Sequence, residues 1–442
     1  MSTRRVRQRV WLVLCAVSFV LAWRNGAGEP GGADLPAPAV PAAAVLASPE
    51  SVQAIARRVV PVIEKIRGHA FRRTVPVIVE TDSAARIHFA ARIDEFQSPA
   101  AIHAMEIGYS QLGLLPPETE LRRLYLDLLE EQAGGYYDTE RDVFVILGDM
   151  PAALAPILIA HELTHALDDQ WFGIDSTLTA IGPDDDRQAA FDCVVEGSGT
   201  LVMSKFIVDA MAAGTLGMSA LAEFQQSDAA RAERLHAAPA FVQCSLLAPY
   251  LAGMSFLLRG DPSALLNDVS AADLDRAFRD PPPTTEQVLH PDQYWKDADA
   301  HPARQVPPFD AAAAFGPGWQ KEFEGVLGEL ALAVLTDPDA KGLEALLTAP
   351  GASLTNAAAA GWGGDRWWLV RNGAAFATVL GTLWDTPQDA QEFAAALAKH
   401  PALHCERQGD AVAVVAGVPA AQARSVARAC VRVLHQAPPK AR

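Results

Sequence analysis

The stretch IAHELTHALDDQ, residues 159–170, contains two histidines, His161 and His165, inside an apolar run that favours a helix. Side chains four residues apart on an α-helix lie one above the other, so the two imidazoles would point at a common position. Imidazoles placed in this way are typical zinc ligands. Glu162 would lie beside the open position of the metal, where a carboxylate can take a proton from water. The alternative is an amphipathic core helix whose histidines only form hydrogen bonds.

A turn and a β-branched segment precede this helix. Residues 136–147, YYDTERDVFVIL, predict a turn followed by a strand. When a strand comes directly before a metal-binding helix, an extended peptide can be added to the edge of the sheet beside the metal. Tyr136 and Tyr137 at the start of this segment are either packing residues or hydroxyl donors close to the site.

A catalytic zinc site needs a third protein ligand. The extended motif with a third histidine fails, because Asp168 stands where glycine is required and Trp171 where histidine is required. Residues 182–186, GPDDD, predict the solvated start of a second helix, and Glu196 lies further along it next to two valines. A carboxylate on such an apolar face is costly unless it is paired or bound to a metal. Glu196 is therefore the favoured ligand, with Asp192 as the alternative or as a partner of a histidine.

These motifs resemble those of a known family. The spacing of His161, His165 and Glu196 is similar to that of the gluzincin metallopeptidases. More narrowly, four segments together resemble a largely uncharacterised group of exported bacterial zinc metallopeptidases, namely residues 160–170, 196–197, 285–291 and 361–366. The resemblance implies a zincin-like domain in which these three residues bind Zn²⁺ and Glu162 is the general base. That group often has an acidic residue two positions after the ligand glutamate, where this chain has Ser198.

A second catalytic residue is predicted downstream. Residues 281–291, PPPTTEQVLHP, predict a short helix that ends at His290 in a rigid turn. Gluzincins commonly supply a histidine or tyrosine that hydrogen-bonds the oxyanion, and His290 is the candidate for this role. A helix-terminal histidine that bonds a backbone carbonyl is the alternative. His236 and Tyr250 are weaker contenders.

Length and composition bound the class of protein. The chain has 442 residues, of which 50% are hydrophobic and 20% charged, so it can bury large cores in about two domains. The formal net charge of −17 argues against nucleic acid or an anionic membrane as a partner. The predicted fold is α+β and mainly helical, and the predicted partner is a peptide or protein substrate. The sequence does not predict an oligomeric state.

The N-terminus has the pattern of a secretory signal. Residues 1–27 combine a basic start with an apolar core that is shorter than the ~20 residues of a membrane-spanning helix. The prediction is export to the periplasm or the extracellular space, with an uncleaved membrane anchor as the alternative. Residues 28–50 predict a Pro/Ala-rich linker, 51–305 the metallopeptidase domain, and 306–442 a smaller α+β region.

Several local predictions complete the interpretation. In the C-terminal region the pattern predicts a helix, two strands, a helix, a strand and a helix, at residues 319–335, 366–370, 374–382, 387–399, 411–416 and 420–435. Helices are also predicted at 51–69, 201–213, 219–236 and 249–258, with a strand at 75–79. Disulfides between Cys193 and Cys244 and between Cys405 and Cys430 are one possibility, and buried free thiols are the other. Residues 361–366 predict a turn whose Asp365 and Arg366 form an ion pair or line the cleft.

The leading functional prediction is an exported zinc metallopeptidase that hydrolyses peptide bonds with water activated by Glu162. One alternative is a catalytically inactive, peptidase-like binding protein of the cell envelope. The intact Glu162 speaks against it, since a binder needs no base. Another alternative is a zinc hydrolase of a non-peptide amide.

Overall fold

A computed structural model describes residues 49–132, 134–147, 155–217, 233–267, 269–296, 303–337 and 354–438. The predicted signal segment and nearly all of the predicted linker lie outside these ranges. The described residues form a mainly helical α+β fold with two small sheets, which confirms the predicted class.

The helices are α1 (Pro49–Arg67), α2 (Asp82–Phe96), α3 (Pro99–Leu112), α4 (Leu121–Gln132), α5 (Ala155–Phe172), α6 (Ile174–Ile181), α7 (Asp185–Ala212), α8 (Glu233–Ala237), α9 (Ala240–Leu257), α10 (Ala271–Arg279), α11 (Thr285–Leu289), α12 (Pro291–Trp295), α13 (Ala311–Phe315), α14 (Gly328–Thr336), α15 (Pro387–Leu397) and α16 (Ala420–Leu434). The strands are β1 (Val77–Glu80), β2 (Gly135–Asp138), β3 (Val143–Leu147), β4 (Gln320–Gly325), β5 (Trp362–Asn372), β6 (Ala375–Trp384), β7 (His404–Gln408) and β8 (Ala411–Ala416).

Four helices form the central layer, in which α1 packs on α5, α5 on α7, and α7 on α9. Helix α7 begins where the acidic run predicted, because Asp184 caps it by accepting a hydrogen bond from the amide of Arg187 at 3.0 Å. Helix α9 begins nine residues before the predicted start and contains Pro249 in its interior. Burial of its apolar face against α7 offsets the backbone hydrogen bond that proline cannot donate.

Helices α7 and α9 meet backbone to backbone. Gly253 lies so close to α7 that an added Cβ atom would be 2.0 Å from the carbonyl oxygen of Cys193 and 3.0 Å from the Cα atom of Gly197. Only glycine allows this separation, because the opposing atoms are backbone and cannot rotate away. The crossing therefore fixes the position of α7 from the side opposite to α5.

Gly253→Ala should destabilise the fold by about 1–3 kcal/mol or more, because the new methyl group overlaps backbone atoms of α7. Urea unfolding of the wild type and of this variant measures the difference. Ser255→Ala, at an exposed position of the same helix, is the matched control and should change the free energy of unfolding little. Equal stability of Gly253→Ala and the control would contradict the backbone contact.

The first sheet places an edge strand beside α5. Its strand order is β1-β3-β2, with β1 parallel and β2 antiparallel to β3. Residues 136–138, predicted as part of a turn, belong to β2, and the turn to β3 is confined to 139–142. The prediction missed β2 because the strand is only four residues long.

The second sheet is antiparallel in the order β4-β5-β6-β8-β7. The predicted strands at 366–370, 374–382 and 411–416 and the two predicted helices are confirmed, but the order differs because β7, which was not predicted, lies between α15 and β8. The helix predicted at 319–335 is wrong in its first part, because residues 320–325 form β4 and pair with β5. The helix proper, α14, begins at Gly328, whose φ of +77° is a left-handed conformation that favours glycine and separates the two elements.

One apolar cluster contains residues from both sides of the predicted boundary at 305/306. On α3, an added Cβ atom at Gly108 would lie 2.4 Å from the ring of Trp367 on β5. On the same helix, Gln111 donates to the carbonyl oxygen of Phe376 on β6 at 3.0 Å. Helix α14 packs against α9 and α11. The C-terminal sheet is therefore built onto the helical part through a shared core.

The cysteines and one helix test two further expectations. Cys193, Cys244, Cys405 and Cys430 are all free, so neither predicted disulfide is formed in the structure and the alternative of free thiols applies. Among the described residues, α9 alone has the length and hydropathy of a membrane span, and more than half of it is buried inside the protein. A buried core helix can meet the same criteria of length and hydropathy as a membrane span.

Gly361 lies in a turn, as predicted, but residues 362–366 form the start of β5, so the predicted turn is wrong for this part. Asp365 is buried and does not lie in a turn. It accepts hydrogen bonds from the amides of Leu327 and Gly328, each at 2.9 Å, and from Trp362 Nε1 at 3.0 Å. These contacts join β5 to the start of α14, so Asp365 has a structural role, but its partners among the described residues are amide and indole donors and the predicted ion pair with Arg366 is not formed. Burial raises the pKa of Asp365 to about 6, against the opposing effect of these donors.

The raised pKa of Asp365 predicts a stability that falls as the pH rises. The folded state holds this proton more tightly than the unfolded state, so the contribution is complete below pH 3.8 and is lost as the pH passes about 6. The shift corresponds to about 3 kcal/mol. Urea unfolding between pH 4 and pH 7 should show a smaller decrease in Asp365→Asn than in the wild type. The exposed Asp292→Asn should keep the wild-type slope, and an equal slope in Asp365→Asn would contradict the prediction.

Candidate metal centre

The three predicted ligand residues come together in the structure. His161 and His165 lie on α5 and Glu196 on α7, and their ligand atoms all lie within 4.8 Å of one another. Nε2 of His161 is 3.0 Å from Nε2 of His165. Oε2 of Glu196 is 3.3 Å from Nε2 of His161 and 3.4 Å from Nε2 of His165. These atoms form a nearly equilateral triangle.

The dimensions of the triangle fit a tetrahedral metal ion. Ligand bonds of 2.0–2.2 Å at tetrahedral angles place neighbouring ligand atoms roughly 3.3 Å apart. Two imidazole nitrogens and one carboxylate oxygen are a donor set that suits zinc. The residues present therefore fit a zinc ion on three ligands. Asp192, the alternative ligand, is not a member of the group.

The charges at the site favour metal binding. Burial opposes ionisation of Glu196, but His165 and the hydrogen bonds from both histidines outweigh it and lower the pKa to about 2. Burial lowers the pKa of His161. Burial also acts to lower the pKa of His165, but Glu196 and nearby carboxylates raise it overall. Glu196 is thus ionised at neutral pH, as a ligand must be.

Glu162 is oriented by the edge of the first sheet. Its side chain is fully buried, and Oε2 accepts a hydrogen bond from the amide of Tyr137 on β2 at 2.9 Å. The hydroxyl of Tyr137 instead donates to Asp169 and Asp142, both at 3.1 Å. The amide of Tyr137 therefore bonds the predicted base, while its hydroxyl bonds carboxylates on the far side of the ring.

Gly199 brings α7 close to the imidazole rings. An added Cβ atom would lie 2.8 Å from Cε1 of His161 and 2.9 Å from Cε1 of His165. Two glycines, Gly197 and Gly199, follow Glu196 on α7. Of these residues, Gly199 faces the rings on α5, whereas Gly197 faces α9.

Gly199→Ala should lower the affinity for zinc by about tenfold or more, since the methyl group must displace both ligand rings. In an undisturbed helix the same change would stabilise by about 1 kcal/mol. Zinc titration against a chromophoric chelator measures the affinity, and circular dichroism establishes that the variant is folded. A folded variant with wild-type affinity would contradict the close contact.

The structure separates the candidates for an oxyanion donor. Tyr250 on α9 is 97% buried, and its ring stacks on that of His161 with centroids 5.9 Å apart. His290 lies with Nε2 2.9 Å from Oε1 of Glu329 on α14. His236 is exposed. Tyr250, a weaker contender in the sequence, is thus the one that the structure places against a ligand histidine, and the role of His290 stays a prediction.

The acidic start of α7 is only partly solvated. Asp186 is buried and accepts a hydrogen bond from the amide of Thr285 at 3.2 Å, which differs from the solvated N-terminus that the sequence predicted. Burial raises its pKa well above the ordinary value. Asp186 is buried because α11 covers this end of α7. The resembling segment at 285–291 thus supports the helix that carries Glu196.

A cavity of about 80 Å³ follows the face of α7 that carries Glu196. Asp185, Ala189 and Asp192 line it, and their spacing of four and three residues places them in one row that continues to Glu196. Side chains of α9 and of α14 form its walls. The cavity therefore begins at Asp192, one helical turn from Glu196.

Asp168 contacts α7 and α1, and no role at the site was predicted for it from the sequence. Oδ2 accepts a hydrogen bond from Ser198 Oγ at 2.6 Å, and Oδ1 from Arg67 Nε at 2.6 Å. Ser198 stands where the resembling group often has a carboxylate. In this chain the carboxylate is that of Asp168 on α5, three residues after His165. That spacing was the signal in the sequence that could have identified Asp168 as a neighbour of the site.

Comparison with known proteins gives one partial match. Residues 318–441 match a family described as a domain of unknown function, DUF8575. No curated protein and no solved structure matches the chain. The matched segment contains the second sheet and begins after every ligand residue, so it assigns no chemistry to the site.

Proposed function

We propose that this chain is a zinc metallopeptidase. The observation that carries the proposal is the triangle of His161, His165 and Glu196, with sides of 3.0–3.4 Å and the buried Glu162 next to the first ligand. The proposal includes a zincin-like arrangement of the helical part. It also includes export, which depends on residues 1–27 outside the described ranges.

The side chains have separate tasks in this proposal. A zinc ion held by His161, His165 and Glu196 would polarise the scissile carbonyl and lower the pKa of a water molecule. Glu162, oriented by the amide of Tyr137, takes the proton from that water and delivers it to the leaving amine. The general base is thus fixed by the protein before substrate binds.

The position of β2 supports a peptide as the substrate. This strand lies at the edge of the first sheet and contacts the metal-binding helix. All four residues of β2 are buried, so an extended peptide would have to displace the side chains that cover this edge in order to lie along it next to Glu162. His290 stays the predicted donor to the carbonyl oxygen, and Tyr250, whose ring lies against His161, is the second candidate.

A second candidate function is a metal-binding envelope protein that holds peptide without cleaving it. The burial of the ligands favours it, with exposed fractions of 1% for His161, 2% for His165 and 4% for Glu196. Structural metal sites are closed, whereas catalytic sites keep an open position. The intact Glu162 favours the peptidase.

Metal analysis combined with a peptide-cleavage assay tests the proposal. The full-length wild type and Glu162→Gln should each contain about one zinc per chain, and Glu196→Ala should contain little. Glu162→Gln keeps the acceptor for Tyr137 but loses the base, so kcat should fall by about 10²–10⁴-fold. Glu120→Gln, at an exposed position, is the control and should match the wild type.

The outcomes separate the candidates. Undiminished cleavage by Glu162→Gln would make the assigned base wrong. Zinc binding without cleavage of any member of a broad peptide library would favour the binding protein. A folded wild type that takes up no zinc would overturn the metal centre itself.

A further inference from the structure

Three buried side chains from three helices form one connected group. Arg67 comes from the end of α1, Asp168 from α5 and Ser198 from α7, and all three are fully buried. The carboxylate of Asp168 uses one oxygen for Arg67 and the other for Ser198, each at 2.6 Å. We refer to this group as the Arg67–Asp168–Ser198 bridge.

The bridge joins the two ligand-bearing helices close to the metal centre. Asp168 lies three residues after His165, so the two side chains are neighbours on the surface of α5. Ser198 lies two residues after Glu196 and directly before Gly199, which touches both histidine rings. A change in the distance between Asp168 and Ser198 therefore changes the distance between the ligands on the two helices.

Arg67 holds the bridge in place. Its Nη1 also donates to Asp275 on α10 at 2.8 Å. The guanidinium carbon lies 5.2 Å from the ring centroid of Phe172 and 5.5 Å from that of Phe278. A planar cation fixed by two carboxylates and two aromatic rings has little freedom to move. Asp168 is consequently tied to an anchor outside both metal-binding helices.

We propose that the Arg67–Asp168–Ser198 bridge positions α5 and α7 so that His161, His165 and Glu196 converge on a divalent zinc ion. The inference rests on the metal centre of the proposed function. It assigns Asp168 and Ser198 as positioning residues, which set the affinity for zinc without touching the metal. Supporting groups of this kind typically change metal affinity by 10–100-fold when they are removed.

Ser198→Ala is the most direct test, because it breaks the contact between the helices and leaves the Arg67–Asp168 ion pair intact. The matched control is Ser204→Ala, which removes a fully buried hydroxyl of α7 that contacts Thr200 O on the same helix at 2.6 Å and the sulfur of Met254 on α9, so that neither contact involves α5. Zinc is titrated into the metal-free full-length chain in competition with a chromophoric chelator. Thermal unfolding is measured with and without zinc.

The expected result is an affinity for zinc about 10–100-fold lower in Ser198→Ala and near the wild-type value in Ser204→Ala. The metal-free Ser198→Ala should unfold at a lower temperature than Ser204→Ala, because it leaves a buried carboxylate oxygen of Asp168 without its donor. The increase in unfolding temperature caused by zinc should be smaller in Ser198→Ala, because that increase follows the affinity. With Co²⁺ in place of zinc, the visible absorption bands of Ser198→Ala should shift, since they report ligand geometry.

Two results would overturn the inference while the proposed function stands. The first is a Ser198→Ala variant that binds zinc as tightly as the wild type and has the wild-type cobalt spectrum. The second is an Asp168→Asn variant whose unfolding temperature falls by the same amount with and without zinc and whose affinity for zinc is unchanged. That result would make the bridge a purely structural contact. A folded wild type that binds no zinc would remove both the inference and the metal centre.

Discussion

The charge of Glu196 is the constraint on which the rest of the structure depends. The carboxylate is buried and ionised, and its only means of avoiding a large loss of hydration is contact with partners that favour its charge. His161 and His165 provide that contact from the neighbouring helix. The separation of α5 and α7, and the absence of a side chain at Gly199, follow from the need to bring these groups within 3.4 Å.

Three consecutive residues of α7 show how tightly this arrangement is specified. Gly197 meets the backbone of α9, Ser198 bonds Asp168 of α5, and Gly199 faces the ligand rings. Successive residues on a helix point about 100° apart, so three neighbours reach three different surroundings. The helix is thereby fixed in rotation as well as in distance, and this rotation is what aims Glu196 at the histidines.

Much of this arrangement could be predicted from the sequence, because it depends on local spacing. The histidines four residues apart and an acidic residue on an apolar helix face predicted the ligand group, and regular apolar patterns predicted most of the second sheet. The failures concern contacts between distant segments. The strand at 320–325 has a polar sequence and exists through pairing with β5. Likewise, Pro249 lies inside a helix because α7 buries the surrounding apolar face, and Asp168 gained its role only through Arg67 and Ser198.

The hydrogen bond from Tyr137 to Glu162 has a consequence for how such a site can be studied. Its donor is a peptide amide, which every residue except proline carries, so the bond is compatible with almost any side chain at position 137. A scan that replaces residues one by one with alanine would pass over it. A search for residue types with reactive side chains would also fail to detect this hydrogen bond. The contribution of β2 to the site belongs to the main chain, and it would be exposed by the loss of the amide N–H at that position, either through proline or through an ester in place of the amide.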